Sequence, residues 1–269
     1  MITVEQYVRY RADGYLIARG LVAREEVEAL LAHIEAGFER RHMLHRELEL
    51  HERLLLHPRV LDVVEGLIGP DVLALQTMLF VKRPGTEGQG YHQDSFHILT
   101  FPDTLIGAWI ALDRADEETG CLWVTPGSQH EPVYPDADET RGHGGDDHLA
   151  DIVAVSGADD PDQRVNDLAA VAAKYPGREV PAVLEPGDAV FFGGHVLHRS
   201  HANRSATRSR RAFVAHYCNA RSYVPWDDEP LDDGEIGNAR HILARGETHL
   251  PYAEPRFTPS AAAASSPRA

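Results

Sequence analysis

The chain has 269 residues, 43% of them hydrophobic and 25% charged, the composition of a globular protein able to bury a sizeable core; disordered and collagen-like classes are excluded. Its 26 Lys plus Arg against 42 Asp plus Glu leave a net charge of −16, which repels phosphate backbones and anionic lipid heads and argues against nucleic acid or a membrane surface as a partner. Only two cysteines occur, Cys121 and Cys218, both within apolar runs, a usage that fits a reducing cytoplasm better than a disulfide-stapled secreted fold.

The opening MITVEQYVRYRADGYL spreads its charges and has no apolar core followed by small residues, so it does not read as a signal peptide. No stretch approaches 18 uninterrupted apolar residues, and no membrane span is expected. Residues 24–41, REEVEALLAHIEAGFERR, place Val27, Leu30, Leu31, Ile34 and Phe38 at helical spacing, acids early and arginines late as the helix dipole favours. They predict an amphipathic helix. A second is predicted from Pro58 to Leu67, with Val60, Leu61, Val64 and Leu67 inward and Gly69-Pro70 as its stop. From Val72 the character changes: LALQTMLFVK, LIGAWIALD, CLWVTPGS, DAVFFGGHVLH and RRAFVAHYCNA are short, β-branched and aromatic, and read as strands.

Helices followed by strands, without regular alternation, argue against a doubly wound sheet and for a mainly-β sandwich or barrel carrying helices on one side. We expect one domain over 1–250. The stretch from about 136 to 167 holds ten acidic residues against Arg141 and Arg164, half of the net charge, and includes the GHGGDD turn. It reads as an insertion between strands, either a solvated loop or a lid. The tail 251–269, ending in PRFTPSAAAASSPRA, is small and polar and predicted to be disordered.

Sixteen histidines each need a geometric test. His42, His45, His51 and His57 lie in or beside charged helical sequence and read as exposed surface residues. His143 and His148 sit in the acidic stretch, a poor frame for a rigid site. His92-Gln93-Asp94 is the one His-x-Asp in the chain, and in extended backbone its spacing projects imidazole and carboxylate from the same face. The best third ligand is His198, which follows the Gly187-Asp188 turn and a strand and precedes Ser200 by two positions; His195 and His201 are odd-spaced rivals. Two histidines and a carboxylate form the facial triad that holds non-haem Fe(II) with positions left open, and zinc accepts the same ligands. Downstream, Arg204, Arg208, Arg210 and Arg211 precede an apolar strand. A guanidinium there can fork onto the carboxylate of a dicarboxylate cosubstrate, while at least two of the four read as a basic surface turn.

The order TML, GQGYHQDSFH, WIALDRADEETGCLWVTPGSQH, GDAVFFGGHVLHRSHANRS and RRAFVAHY resembles the phytanoyl-CoA dioxygenase family of Fe(II)- and 2-oxoglutarate-dependent oxygenases, and RADGYLIARGLVAREEVEALLAHI is similar to that family's N-terminal segment. The resemblance runs from about Tyr10 to Tyr217. It implies a double-stranded β-helix, or jelly-roll, core with flanking N-terminal helices, and iron ligation by His92, Asp94 and His198. It also implies 2-oxoglutarate near Met78, Gln93, Trp109 and Ser200. For the cosubstrate arginine, the family's spacing from His198 lands on Ser209, whereas aligning the RRAFVAHY strand selects Arg210; Arg210 is chosen, with Arg208 as fallback.

The implied reaction consumes 2-oxoglutarate and O2 and attacks an unactivated C–H bond. Because halogenating relatives replace the carboxylate with a small residue, Asp94 argues for hydroxylation, desaturation, cyclisation or epimerisation. Trp123, Phe191 and Phe192 read as core; Tyr91, His97, Ile98 and Phe101 flank the metal motif and form either a substrate wall or ordinary packing. The family name suggests an acyl-CoA, but a chain of charge −16 without a clear Lys/Arg cluster is a poor host for CoA phosphates. A small metabolite, such as a polyketide or amino-acid derivative, is the expected substrate of a monomer or homodimer. A zinc-dependent hydrolase and a non-catalytic jelly-roll binder are the rival readings.

Overall fold

The computed structural model describes residues 1–35, 42–137, 154–158, 160, 162, 166–175, 177, 179–224, 241–249 and 253–255. Thr3 and Gln6 form a reciprocal capping box that starts helix α1 (Val4–Asp13), and Gly14, at φ 81°, stops it in the left-handed region. Strand β1 (Tyr15–Ala18) follows, then α2 (Arg24–Glu35), α3 (Glu49–Leu55) and α4 (Pro58–Ile68), which Pro58 opens with its φ already helical. Thereafter the chain is mostly extended: β2 (Val72–Lys82), β3 (Gln89–His92), β4 (Ile106–Ala111), β5 (Leu122–Val124), a short α5 (Leu168–Ala172), β6 (Val180–Pro181), β7 (Ala189–Gly193), β8 (His198–Ser200), β9 (Arg210–Asn219), β10 (Ile242–Arg245) and β11 (Glu254–Pro255).

Two sheets result, one of seven strands in the order β1-β7-β4-β9-β2-β10-β11 and one of four in the order β3-β8-β5-β6. Pairing is antiparallel except for β10 with β11. This is the mainly-β jelly roll with N-terminal helices that the motifs implied. The longest ladder, β2 with β9, shifts register between Ala74 and Gln76, where Leu75 is one residue extra.

The helices bury their inner faces on one side of the large sheet. Val27, Leu30, Leu55, Val60, Leu61 and Val64 meet Leu79, Ile110, Phe213 and Tyr217 in one apolar cluster. Each such side chain removed from water contributes about 1.5–3 kcal/mol, which fixes the helical layer on the sheet. The opposite side of that sheet is free to face the smaller one, and the cavity described below opens between them.

One sequence expectation changes, and others fall partly or wholly outside the described residues. The first helix ends at Glu35 within the described residues, and 36–41 lie outside them. His45, His51 and His57 are buried rather than exposed. Leu44, Leu54, Leu55 and Leu56 draw that segment onto the sheet; Thr77 bonds the His45 ring at 2.9 Å and His51 packs on Phe213. Most of the acidic insertion, with His143 and His148, lies outside the described residues, as does the tail apart from 253–255. Both cysteines are buried free thiols, and burial pushes their pKa values up, Cys121 to about 12. Among the described residues no helix is long and apolar enough to cross a membrane.

Candidate metal centre and adjoining cavity

His92 closes β3, Gln93 stays extended at φ −123° and ψ 125°, and Asp94 opens a short 3-10 turn. The two-residue spacing in extended backbone therefore turns His92 and Asp94 to the same side, and Gln93 to the other. His198 opens β8 directly opposite His92, because the β3–β8 ladder takes three steps on one strand against two on the other. The two imidazole centroids lie 4.0 Å apart, and one ligand atom from each of His92, Asp94 and His198 falls within 4.8 Å of the others.

Both rings are aimed by their own backbone. Nδ1 of His92 donates to the Gly90 carbonyl at 3.0 Å and Nδ1 of His198 to that of Val196 at 2.9 Å. Each Nε2 is thus left with a lone pair pointing inward, the arrangement a metal-binding histidine needs. Asp94 Oδ1 lies 3.5 Å from His198 Nε2 and 3.9 Å from His92 Nε2. Burial works to raise the Asp94 pKa, but His198 and His216 beside it hold the carboxyl well below the usual range. Its other oxygen, Oδ2, accepts a bond from His216 Nε2 at 3.0 Å. His216 Nδ1 accepts from Gln76 Nε2 at 2.9 Å, and the Gln76 carbonyl oxygen accepts from His42.

The triad opens into a cavity of 490 Å³. Met78, Trp109 and Val214 line it, and Phe192 packs its ring 4.6 Å from that of His198. Ser200, Lys82 and Arg210 line it too. Arg210 is 3% exposed, lies 5.2 Å from the Trp109 ring centroid, and leaves Nε without a hydrogen-bond partner. Burial pulls its pKa down to about 10. A buried guanidinium donor without an acceptor is costly unless a ligand supplies one.

The other three arginines are accounted for elsewhere. Arg208 forks onto Asp116 at 2.8 and 3.1 Å and reaches Glu118, Arg211 pairs with Asp113 and Glu35, and Arg204 is exposed.

Of the other candidate residues, Met78, Trp109, Ser200, His97 and Ile98 line the cavity. Gln93 does not: its amide donates to the carbonyls of Pro132 and His195 and accepts from Tyr134 N–H, pinning the chain behind the metal motif. Tyr91 likewise points away, with its hydroxyl on Glu179 at 2.9 Å and Arg199 over its ring. Phe101 is half exposed and pairs through its backbone with Tyr223. Phe191 is core, whereas Phe192 is core and cavity wall at once. Sequence reasoning missed His42, Gln76, Lys82 and His216.

A family model described as Phytanoyl-CoA dioxygenase (PhyH) matches residues 10–212. The chain belongs to the phytanoyl-CoA dioxygenase family. That family is one of non-haem iron, 2-oxoglutarate-dependent oxygenases, and the two-imidazole, one-carboxylate donor set fits such an iron. Among its relatives are phytanoyl-CoA dioxygenase domain-containing protein 1 of Danio rerio, 31% identical over 190 residues, 70% of this chain and 59% of that protein, and the peroxisomal phytanoyl-CoA dioxygenase of Rattus norvegicus, 27% identical over 251 residues, 81% and 68% of the two chains. The chain thus spans less than two thirds of the first relative's length. In fold it is similar to the epimerase SnoN in complex with Fe3+, alpha ketoglutarate and nogalamycin RO, at TM-score 0.67 and 23% identity over 86% of this chain and 91% of that one. CytC3 with Fe(II) and alpha-ketoglutarate gives 0.64 and 19% over 96% and 95%.

Proposed function

We propose that this family member is a non-haem Fe(II)- and 2-oxoglutarate-dependent oxygenase that converts a C–H bond of a small metabolite in natural-product biosynthesis, by hydroxylation or by a related cyclisation, epimerisation or desaturation. The observation that carries the reading is one cavity holding the His92, Asp94 and His198 ligand atoms and the buried guanidinium of Arg210, whose Nε has no hydrogen-bond partner. Iron held there would, with 2-oxoglutarate and dioxygen, supply the oxidant for that conversion.

The chain's own residues bind, aim and shield. His92, Asp94 and His198 would hold the metal beside the cavity they line. Arg210 and the Ser200 hydroxyl, both on the cavity lining, are the groups we assign to the far carboxylate of the keto acid, with the guanidinium meeting it charge on charge. Met78, Trp109 and Phe192 exclude water from that chamber, which suppresses wasted oxidation. His97 and Ile98 are the substrate-facing wall.

Support for the natural-product role comes from fold neighbours, which include an epimerase and a carbocyclase from nogalamycin biosynthesis. The rat relative favours a second reading, an acyl-CoA substrate. Against it, Lys82 and Arg210 are the cationic side chains on the lining, too few and too deep to receive CoA phosphates.

Anaerobic addition of Fe(II) and 2-oxoglutarate is expected to give the weak visible charge-transfer band of the chelate, with succinate released once oxygen is admitted. A zinc hydrolase or a binder gives neither, and that result would sink the proposal. A substrate screen by succinate formation and product mass, with phytanoyl-CoA as one arm, separates the two substrate classes.

A further inference from the structure

We propose that Lys82 is a second cosubstrate residue, gripping the far carboxylate of 2-oxoglutarate together with Arg210 across the Ser200 hydroxyl. The inference rests on the oxygenase reading above and adds a residue to it.

Lys82 ends β2 and pairs in register with Arg210 at the start of β9. Residues directly opposite in an antiparallel ladder share a face, so ammonium and guanidinium enter the cavity side by side. Lys82 is 7% exposed, and its Nζ donates to Ser200 Oγ at 2.9 Å and to the His201 carbonyl at 2.6 Å. Both acceptors are neutral. Two of three ammonium donors are so used, leaving one for a ligand. Arg210 brings a buried Nε with no acceptor. Among the described residues no carboxylate pairs with either cation. Two like charges in a buried space without a counterion repel each other, and an incoming carboxylate relieves that repulsion for both.

The groups that face Lys82 are Arg210 from β9, Ser200 and His201 from β8 and the residue after it, Cys121 from just before β5, and Glu87 from the loop before β3. Burial, then Arg210, pulls its pKa down to about 7. An anion bound between the cations reverses that balance and favours the ammonium. Near pH 8, where the empty site holds Lys82 mostly as the amine, binding of 2-oxoglutarate therefore takes up close to one proton, and less at pH 6.5.

Calorimetric titration of Zn(II)-loaded protein with 2-oxoglutarate, in buffers of different ionisation enthalpy at pH 8, reads affinity and proton uptake without turnover. Wild-type protein is expected to bind with proton uptake. Lys82→Met should bind at least tenfold more weakly with the uptake abolished, while Lys82→Arg should bind within a few-fold of wild type and also lose the uptake, because arginine stays charged. Wild-type affinity in Lys82→Met, or undiminished uptake in either variant, overturns the proposal. Should Lys82→Met fold poorly, the uptake in Lys82→Arg decides alone. If wild-type protein binds no 2-oxoglutarate at all, the oxygenase reading fails and Lys82 falls with it; loss in the Lys82 variants against tight wild-type binding is the distinguishable, supporting case.

Discussion

Asp94 is held at both oxygens, one turned to His92 and His198 and the other bonded to His216. The bond from His216, itself fixed by Gln76, leaves one oxygen free to bind metal and sets its direction. His216→Leu should therefore lower Fe(II) affinity by about 10–100-fold while the fold persists; unchanged affinity in a metal titration would refute this role. Asp94→Ala and His198→Ala should abolish turnover outright. Arg210→Ala should chiefly raise the 2-oxoglutarate concentration required, and Arg208→Ala should leave it unchanged, since Arg208 is occupied by Asp116 and Glu118. The His-x-Asp spacing was legible because a metal demands it locally. Gln76, Lys82 and His216 were not: each is a polar residue set in a largely apolar strand, and only its partners on another strand reveal that it points inward.

Among the elements, the segment from Met43 through α3 departs most from its sequence reading. Its charges suggested a surface helix, yet its leucines carry His45 and His51 beneath it. Burial is the main cause that depresses their pKa values, to about 3 and about 4. The unfolded chain binds protons at these histidines around pH 6.5 and the folded chain does not, so their contribution is present above pH 6.5 and is lost as pH falls toward 4. Each should add up to about 1.4 kcal/mol of stability per pH unit in that window. His51→Leu should flatten the slope measured by urea unfolding between pH 7 and pH 5; an unaltered slope would place the proton elsewhere. Of the strands, β2, β4 and β9 were readable nearly to their ends, because β-branched and aromatic runs bounded by Gly, Pro and Asp leave few alternatives; β7 and β8 were read as one run, and the short β1, β6, β10 and β11 were not read at all.

At the scale of the molecule, the candidate metal ligands come from β3, the turn after it and β8, whereas Gln76, Lys82, Arg210 and His216 come from β2 and β9 in the other sheet. An ion bound to the native state alone stabilises it by about 2.7 kcal/mol at a hundredfold excess over Kd, roughly 5–10 °C in melting temperature for a chain of this size. Scanning fluorimetry with and without Fe(II) under nitrogen should display that rise in wild-type protein and not in His198→Ala. The jelly roll was legible from the order of elements together with the family motifs; the orientation of each strand's two faces was not, because alternation alone does not say which side is the chamber. On β2 that question is decided by a single residue. Ahead of Leu75, Leu73 shares the chamber's side with Cys218 while Ala74 joins Tyr217 under the helices; beyond it, Gln76, Met78, Phe80 and Lys82 turn toward the chamber and Thr77 and Leu79 away. Leu75 thus acts as a half-turn inserted in the ribbon. Were the strand instead to run on regularly through Leu75, with no bulge, threonine and leucine would turn to the cavity and an amide, a thioether and an ammonium would enter the helical layer; excising Leu75 would merely close the bulge and leave both faces as they are.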